Sequence, residues 1–120
     1  MGKKILVVDD EPDILKVIVF RLKRLGYEMI CGTNGAEALS LMRDKDPDLL
    51  VIDFRMPDID GLEVSRRLRS EERFKKTPII LISASSTADI SDAIRNAQVN
   101  EYIKKPFDPE HLLDIVRKYI

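Results

Sequence analysis

The chain of 120 residues balances 20 Lys and Arg against 21 Asp and Glu, with 44% hydrophobic and 34% charged residues. That length suits one domain, 1–120, whose core needs neither disulfide nor structural metal. The even charge argues against a nucleic-acid or membrane surface built on bulk charge. Cys31 is the only cysteine, so no internal disulfide forms, as in a reducing cytoplasm. No apolar stretch approaches the ~20 residues of a membrane span. Met1 to Lys4 run straight into a strand and leave no room for a signal peptide, so a cytoplasmic location without membrane insertion is expected.

Taken in chain order, Ile5 to Val8 read as a buried strand that ends in Asp9-Asp10-Glu11. Pro12 then opens a helix over 12–25, since a first helical turn tolerates proline. Its inward stripe is Ile14, Leu15, Ile18, Leu22 and Leu25. Val17 and Phe20 fall off that stripe among Lys16, Arg21, Lys23 and Arg24. Gly26 serves as the helix cap. A short second strand spans Met29 to Cys31, with Cys31 as a small apolar filler and no metal-ligand spacing around it. Asn34-Gly35 starts a helix over 35–45. Leu49 to Ile52 are apolar without alternation, the pattern of a strand buried on both faces of a parallel sheet, and the run delivers Asp53 to its end. Helices follow at 61–70 and 87–98 around a fourth strand, Ile79 to Ile82. Glu101 to Lys104 form a fifth, amphipathic edge strand, and Pro109 opens a last helix to residue 120.

Strand and helix alternating five times call for a parallel sheet covered on both faces. Two edge strands and three buried central ones fit the order 2-1-3-4-5 of the flavodoxin-like doubly wound α/β fold. In such sheets ligands bind beyond the carboxyl ends of the strands, where the order reverses. This chain places Asp9, Asp10 and Glu11 there, with Asp53, Ser83-Ala84-Ser85 and Lys104-Lys105-Pro106. Two carboxylates about 4 Å apart repel by roughly 4 kcal/mol at an effective dielectric near 20, so shifted pKa values or a cation must compensate. Oxygen ligands without His or Cys suit Mg²⁺ or a similar hard ion such as Mn²⁺. Lys105 and the Ser83 hydroxyl add a charge and a hydrogen bond for a phosphoryl group. A carboxylate nucleophile, a metal site, a lysine and a hydroxyl are the parts needed to form an aspartyl phosphate. Singly each part has a plainer reading: a helix cap for Asp9 or Asp10, a turn residue for Asp53, a strand end for Ser83, a solvated side chain for Lys105. Their convergence at one sheet edge disfavours those readings.

The motifs VVDDEP (7–12), DFRMPDIDGLE (53–63), LISA (81–84) and YIKKPF (102–107) resemble those of the receiver domain of two-component response regulators, in order and over essentially the whole chain. The resemblance implies that Asp53 accepts a phosphoryl group from a histidine kinase or a histidine phosphotransfer domain. It implies direct Mg²⁺ ligation by Asp10, Asp53 and the Arg55 backbone carbonyl, with Asp9 acting mainly through water. Lys105 would pair with phosphoryl oxygens, and the Lys105–Pro106 bond would be cis. Ser83 would move to the phosphate as Tyr102 turns inward, switching the surface of helix four, strand five and helix five toward a downstream protein that the sequence does not name. Gly61 would permit a tight turn into the third helix.

Two departures stand out. Receivers commonly carry Gly after the fourth helix, whereas this chain has Ala97-Gln98-Val99-Asn100, so Gln98 or Asn100 must take the cap conformation. Arg55 stands two residues after the acceptor, where its side chain is expected to tune phosphoryl lifetime. Ile14, Val17 and Phe20 are either scattered surface residues or a docking patch for the phosphodonor. The basic stretch from Arg66 to Lys76 reads as a solvated face, His111 as a surface residue, and Tyr119 as either packed or on the surface. Both a monomer and a homodimer formed on phosphorylation suit this pattern. The rival readings are a Mg²⁺-dependent aspartyl-phosphate phosphatase of haloacid dehalogenase type and a nucleotide or flavin binder. The first wants an acid where Arg55 stands, and the second a Gly-rich loop after the first strand. The preferred reading is a signalling phosphoacceptor, with self-phosphorylation and slow autodephosphorylation as its only chemistry.

Overall fold

The computed structural model describes residues 2–84 and 87–120, without the side chains of 87–90. The elements run β1 (Lys4–Val8), α1 (Pro12–Arg24), β2 (Glu28–Gly32), α2 (Gly35–Lys45), β3 (Leu49–Asp53), α3 (Gly61–Arg69), a 3₁₀ turn (Glu72–Phe74), β4 (Ile79–Ser83), α4 (Thr87–Ala97), β5 (Glu101–Lys104) and α5 (Pro109–Tyr119). The strands pair in parallel in the order β2-β1-β3-β4-β5, as the pattern of buried and edge strands predicts.

Side-chain alternation along the strands divides the core in two. Ile5, Val7, Leu49, Val51, Ile80 and Ile82 pack with Ile18 and Leu22 of α1 and with Leu112, Ile115 and Val116 of α5. Leu6, Val8, Leu50, Ile52, Ile79 and Leu81 face the other way, onto Ala38 and Met42 of α2 and Val64 and Leu68 of α3. Each such side chain contributes about 1.5–3 kcal/mol when fully buried, and a one-residue slip would exchange the two faces. The sheet therefore presents its strand ends in a fixed register. Val8 pairs with Ile52, so the next residues, Asp9 and Asp53, emerge side by side on the α1/α5 face.

Several local expectations change. Leu25 is 40% exposed, because α1 ends at Arg24 and the helical stripe no longer governs the residue after it. Cys31 is exposed, since β2 pairs only with β1 and its side chains are covered on one flank alone. Gly26 has φ +95° and caps α1 as expected, and Gln98 takes the left-handed position after α4 with φ +55°. The basic stretch is not uniformly solvated. Arg69 is buried, and its guanidinium donates to the carbonyls of Phe74, Thr77 and Gln98 and to Asn100 Oδ1. Asn100 Oδ1 also accepts from Ile79 N at 2.8 Å. Arg69 and Asn100 together tie the irregular turn after α4 to α3 and to the start of β4.

Candidate functional site

Four carboxylates and one lysine converge at the carboxyl edge of the sheet. Asp9 is buried at the end of β1, its N–H donating to Gly32 O at 3.2 Å and its Oδ1 accepting from Glu11 N at 2.9 Å. The helix cap of α1 is Glu11 itself, with no side-chain cap bond, so neither Asp9 nor Asp10 is spent on capping. Asp53 is 5% exposed at the end of β3, while Asp10 and Glu11 are exposed at the rim. Asp9, Asp10, Glu11 and Asp53 each offer a carboxylate oxygen within 4.8 Å of the others. The oxygen-only donor set at this spacing fits a hard divalent ion.

Lys105 is the counter-charge. Its Nζ lies 3.3 Å from Asp9 Oδ2, from Glu11 Oε1 and from Asp53 Oδ2. The segment after β5 delivers it there: Lys105 N donates to Ser83 O at 2.7 Å, and the Lys105–Pro106 bond is cis. One ammonium does not neutralise the cluster. Burial, and then the neighbouring Asp9 charge, push the Asp53 carboxyl up to about 6, with Lys105 acting against them and Asp10 adding to the rise. Burial also raises Asp9, against the Glu11 N–H and the Lys105 charge. Burial would depress Lys105, but Asp53 and Asp9 hold it above the usual lysine range. A second cation would relieve the same repulsion that protonation relieves.

Ser83 is buried at the end of β4. Tyr102 is half-buried on β5, packs against the α2/α3 side of the core and donates from its hydroxyl to Ser83 O at 3.5 Å. Ser85 of the predicted strand-four end lies outside the described residues. Gly61 has a reason other than its turn: a Cβ there would stand 2.5 Å from Asp53 O and 2.9 Å from Leu81 Cδ1. The close approach of α3 to β3, rather than a left-handed φ, excludes larger residues. Arg55 is exposed, with its guanidinium 6.0 Å from the Phe54 ring centroid.

Beside the acidic site a cleft of about 450 Å³ is lined by Ile14, Val17, Ala84, Pro106 and Phe107 among others. Ile14 and Val17 thus border the site, whereas Phe20 is 59% exposed and belongs to a separate groove between α1 and α5. Sequence reading gave Glu11 and Asp58 no role. Glu11 joins the cluster by adjacency to Asp9-Asp10, a visible signal. Asp58 bonds across the fold to α2, and no local pattern distinguishes it from an ordinary loop aspartate.

Residues 5–117 match the family model of the response regulator receiver domain. Among curated proteins, the "Probable transcriptional regulator ycf27" of Porphyridium aerugineum is 39% identical over 120 residues, covering 98% of this chain but 48% of that protein. The chain thus spans about half the length of that relative. Among solved structures, the chemotaxis response regulator CheY4 of Vibrio cholerae superposes with a TM-score of 0.93 at 27% identity, with both chains fully covered. The receiver domain of the sensor histidine kinase PA1611 from Pseudomonas aeruginosa, solved with a magnesium ion coordinated in its active-site cleft, gives 0.89 at 29% identity. The match covers 99% of this chain and 98% of that one.

Proposed function

The chain belongs to the response regulator receiver domains of two-component systems, and from that premise we propose that Asp53 is its phosphoacceptor. One observation carries the assignment: Asp53 is the carboxylate that the buried β3 strand holds against Asp9, Asp10 and Lys105 at the sheet's carboxyl edge. An Asp53 carboxylate oxygen attacks the phosphorus of a phosphohistidine on a histidine kinase or phosphotransfer domain. The O–P bond forms as the N–P bond breaks, and the imidazole leaves with the electron pair. Asp10, Asp53 and the Arg55 backbone carbonyl would hold Mg²⁺ (or Mn²⁺), with Asp9 reaching it mainly through water. The cation supplies charge neutralisation for the transferring group. Lys105 then exchanges its bond to Asp53 for phosphoryl oxygens, and the Ser83 hydroxyl donates to the same group. With Ser83 so engaged, Tyr102 turns inward and the α4–β5–α5 surface presents a different face to its downstream protein.

Arg55 stands where a phosphatase of haloacid dehalogenase type wants a general acid, and the family match does not support that reading. The chain is a signalling acceptor with slow autodephosphorylation, acting in the cytoplasm. No helix among the described residues is long and apolar enough to cross a membrane. Ile14 and Val17 dock the phosphodonor beside the acidic site, with Phe20 at the periphery.

The test is intact-mass analysis after treatment with acetyl phosphate and Mg²⁺, repeated with a phosphodonor protein. Wild type should gain one acid-labile phosphoryl group and Asp53→Asn none; an unchanged gain in Asp53→Asn would falsify the assignment. Val17→Asp should slow transfer from the donor protein while leaving labelling by acetyl phosphate intact. Equal rates from the donor protein would remove the docking face.

A further inference from the structure

The loop between β3 and α3, residues 54–60, carries two aspartates with different roles. Asp60 accepts from Glu63 N at 2.8 Å and caps its own helix, α3. Asp58 reaches across to another element: Oδ1 accepts from Gly35 N and Oδ2 from Ala36 N, each at 2.9 Å. These are the first two N–H groups of α2, which lack partners within the helix; Asn34 already serves the N–H of Glu37. The N–H groups of Ala36, Gly35 and Ile59 hold the Asp58 carboxyl down at about 2, so it remains an anion through the neutral range. The approach is close, because a Cβ on Gly35 would stand 2.4 Å from Ile59 O.

The other end of the loop is also fixed. Phe54 N donates to Ile82 O at 2.7 Å, and Gly61 N donates to Phe54 O at 2.8 Å. Arg55, Met56 and Pro57 are therefore bracketed between an anchored base at Phe54 and an anchored tip at Asp58. The Arg55 carbonyl, the one backbone ligand proposed for the cation, lies within that bracket.

We propose that Asp58 is a positioning residue for the cation: by clamping the β3–α3 loop to the start of α2, it fixes the Arg55 carbonyl and so sets the affinity of the site for Mg²⁺. The inference rests on the reading of Asp10, Asp53 and the Arg55 carbonyl as ligands. A carboxylate suits the task because each of its oxygens takes one of two neighbouring N–H groups. An asparagine keeps one such acceptor and an alanine none.

Calorimetric titration of Mg²⁺ into the full chain tests this with wild type, Asp58→Ala, Asp58→Asn, Asp10→Asn and Asn34→Ala. Removal of an outer-shell partner typically weakens metal binding by about 10- to 100-fold. Asp58→Ala should fall near tenfold and Asp58→Asn should lose less. Asn34→Ala removes a different cap from the same helix and leaves the loop alone. It should lower Tm yet leave Mg²⁺ affinity as in wild type. Unchanged affinity in folded Asp58→Ala, or in Asp58→Asn where the alanine variant does not fold, would overturn the proposal. So would an equal loss in Asn34→Ala. Affinity unchanged in Asp10→Asn would instead overturn the ligand reading beneath it, and the positioning role with it.

Discussion

Arg55 is exposed, two residues after the buried Asp53. Its guanidinium lies 6.0 Å from the Phe54 ring centroid and forms no ion pair among the described residues, so it is available to a new anion at Asp53. A phosphoryl dianion there would gain a charge-assisted partner and lose access to attacking water. Exposed charge pairs contribute about 0.2–1 kcal/mol, so Arg55→Ala should shorten the phosphoryl half-life by roughly 1.4- to fivefold. The decay of radiolabelled or mass-shifted protein in excess Mg²⁺ measures it, and an unchanged rate removes Arg55 from the chemistry. At this scale the sequence is legible where a residue is fixed by its neighbours in the chain, as Asp53 is by the apolar run before it. It is illegible where partners come from afar. Nothing around Arg69 announces that its guanidinium serves carbonyls from the 3₁₀ turn and the α4–β5 turn, whereas Arg66 and Arg67, its exposed neighbours, pair with Glu63 as solvated arginines do. Glycine is absent after α4, and the long-range bonds of Arg69 and Asn100 hold the turn that Gln98 enters with a positive φ.

Among the elements, β5 and α5 carry a tie that borders the proposed signalling surface. Tyr119 Oη donates to Glu101 Oε2 at 2.6 Å, and Lys118 Nζ donates to the same oxygen at 3.0 Å. The bond to Glu101 pushes the Tyr119 phenol up to about 12. The phenol, with Lys118, holds Glu101 below the usual carboxylate range against the opposing effect of burial. The two signs bound a pH window. The raised phenol contributes stability that is present below the ordinary tyrosine value near 10 and is lost as pH rises toward 12. The lowered carboxyl contributes stability that is present above the ordinary glutamate value and is lost as pH falls through its depressed one. Spectrophotometric titration of the tyrosines should therefore show a late component that Tyr119→Phe abolishes. Glu101→Gln should move that component downward, toward pH 10. A tyrosine titration identical in Glu101→Gln would show that the bond does not persist in solution. Element type and order could be read because each strand is bounded by turn residues and each helix has its own periodicity. Element ends could not, since Leu25 and Cys31 owe their exposure to where α1 stops and to β2 lying at the edge.

Across the whole molecule, the fold accepts repulsion at one edge in exchange for a cluster of carboxylates spaced to suit a cation. The apolar strands fix Asp9 beside Asp53 through a register that cannot slip without exposing the core, so the carboxylates cannot relax apart. This much follows from sequence, because strand order and alternation determine which strand ends meet. The share of Lys105 among three carboxylates, at 3.3 Å from each, required the structure. A ligand that binds only the folded state adds RT ln(1 + [L]/Kd) to stability, about 1.4 kcal/mol at ten times Kd. For a domain of this size that corresponds to a Tm increase of roughly 5 °C. Mg²⁺ should therefore raise Tm in a saturable way, and excess EDTA should reverse the shift. Asp10→Asn should lose most of the increase, because an exposed rim carboxylate is the one the cation reaches without displacing Lys105. Differential scanning calorimetry across a Mg²⁺ series, with Na⁺ matched for ionic strength, separates site binding from screening. A shift that Na⁺ reproduces, or one that Asp10→Asn retains in full, would mean that the acidic edge tolerates its charge through Lys105 and protonation alone.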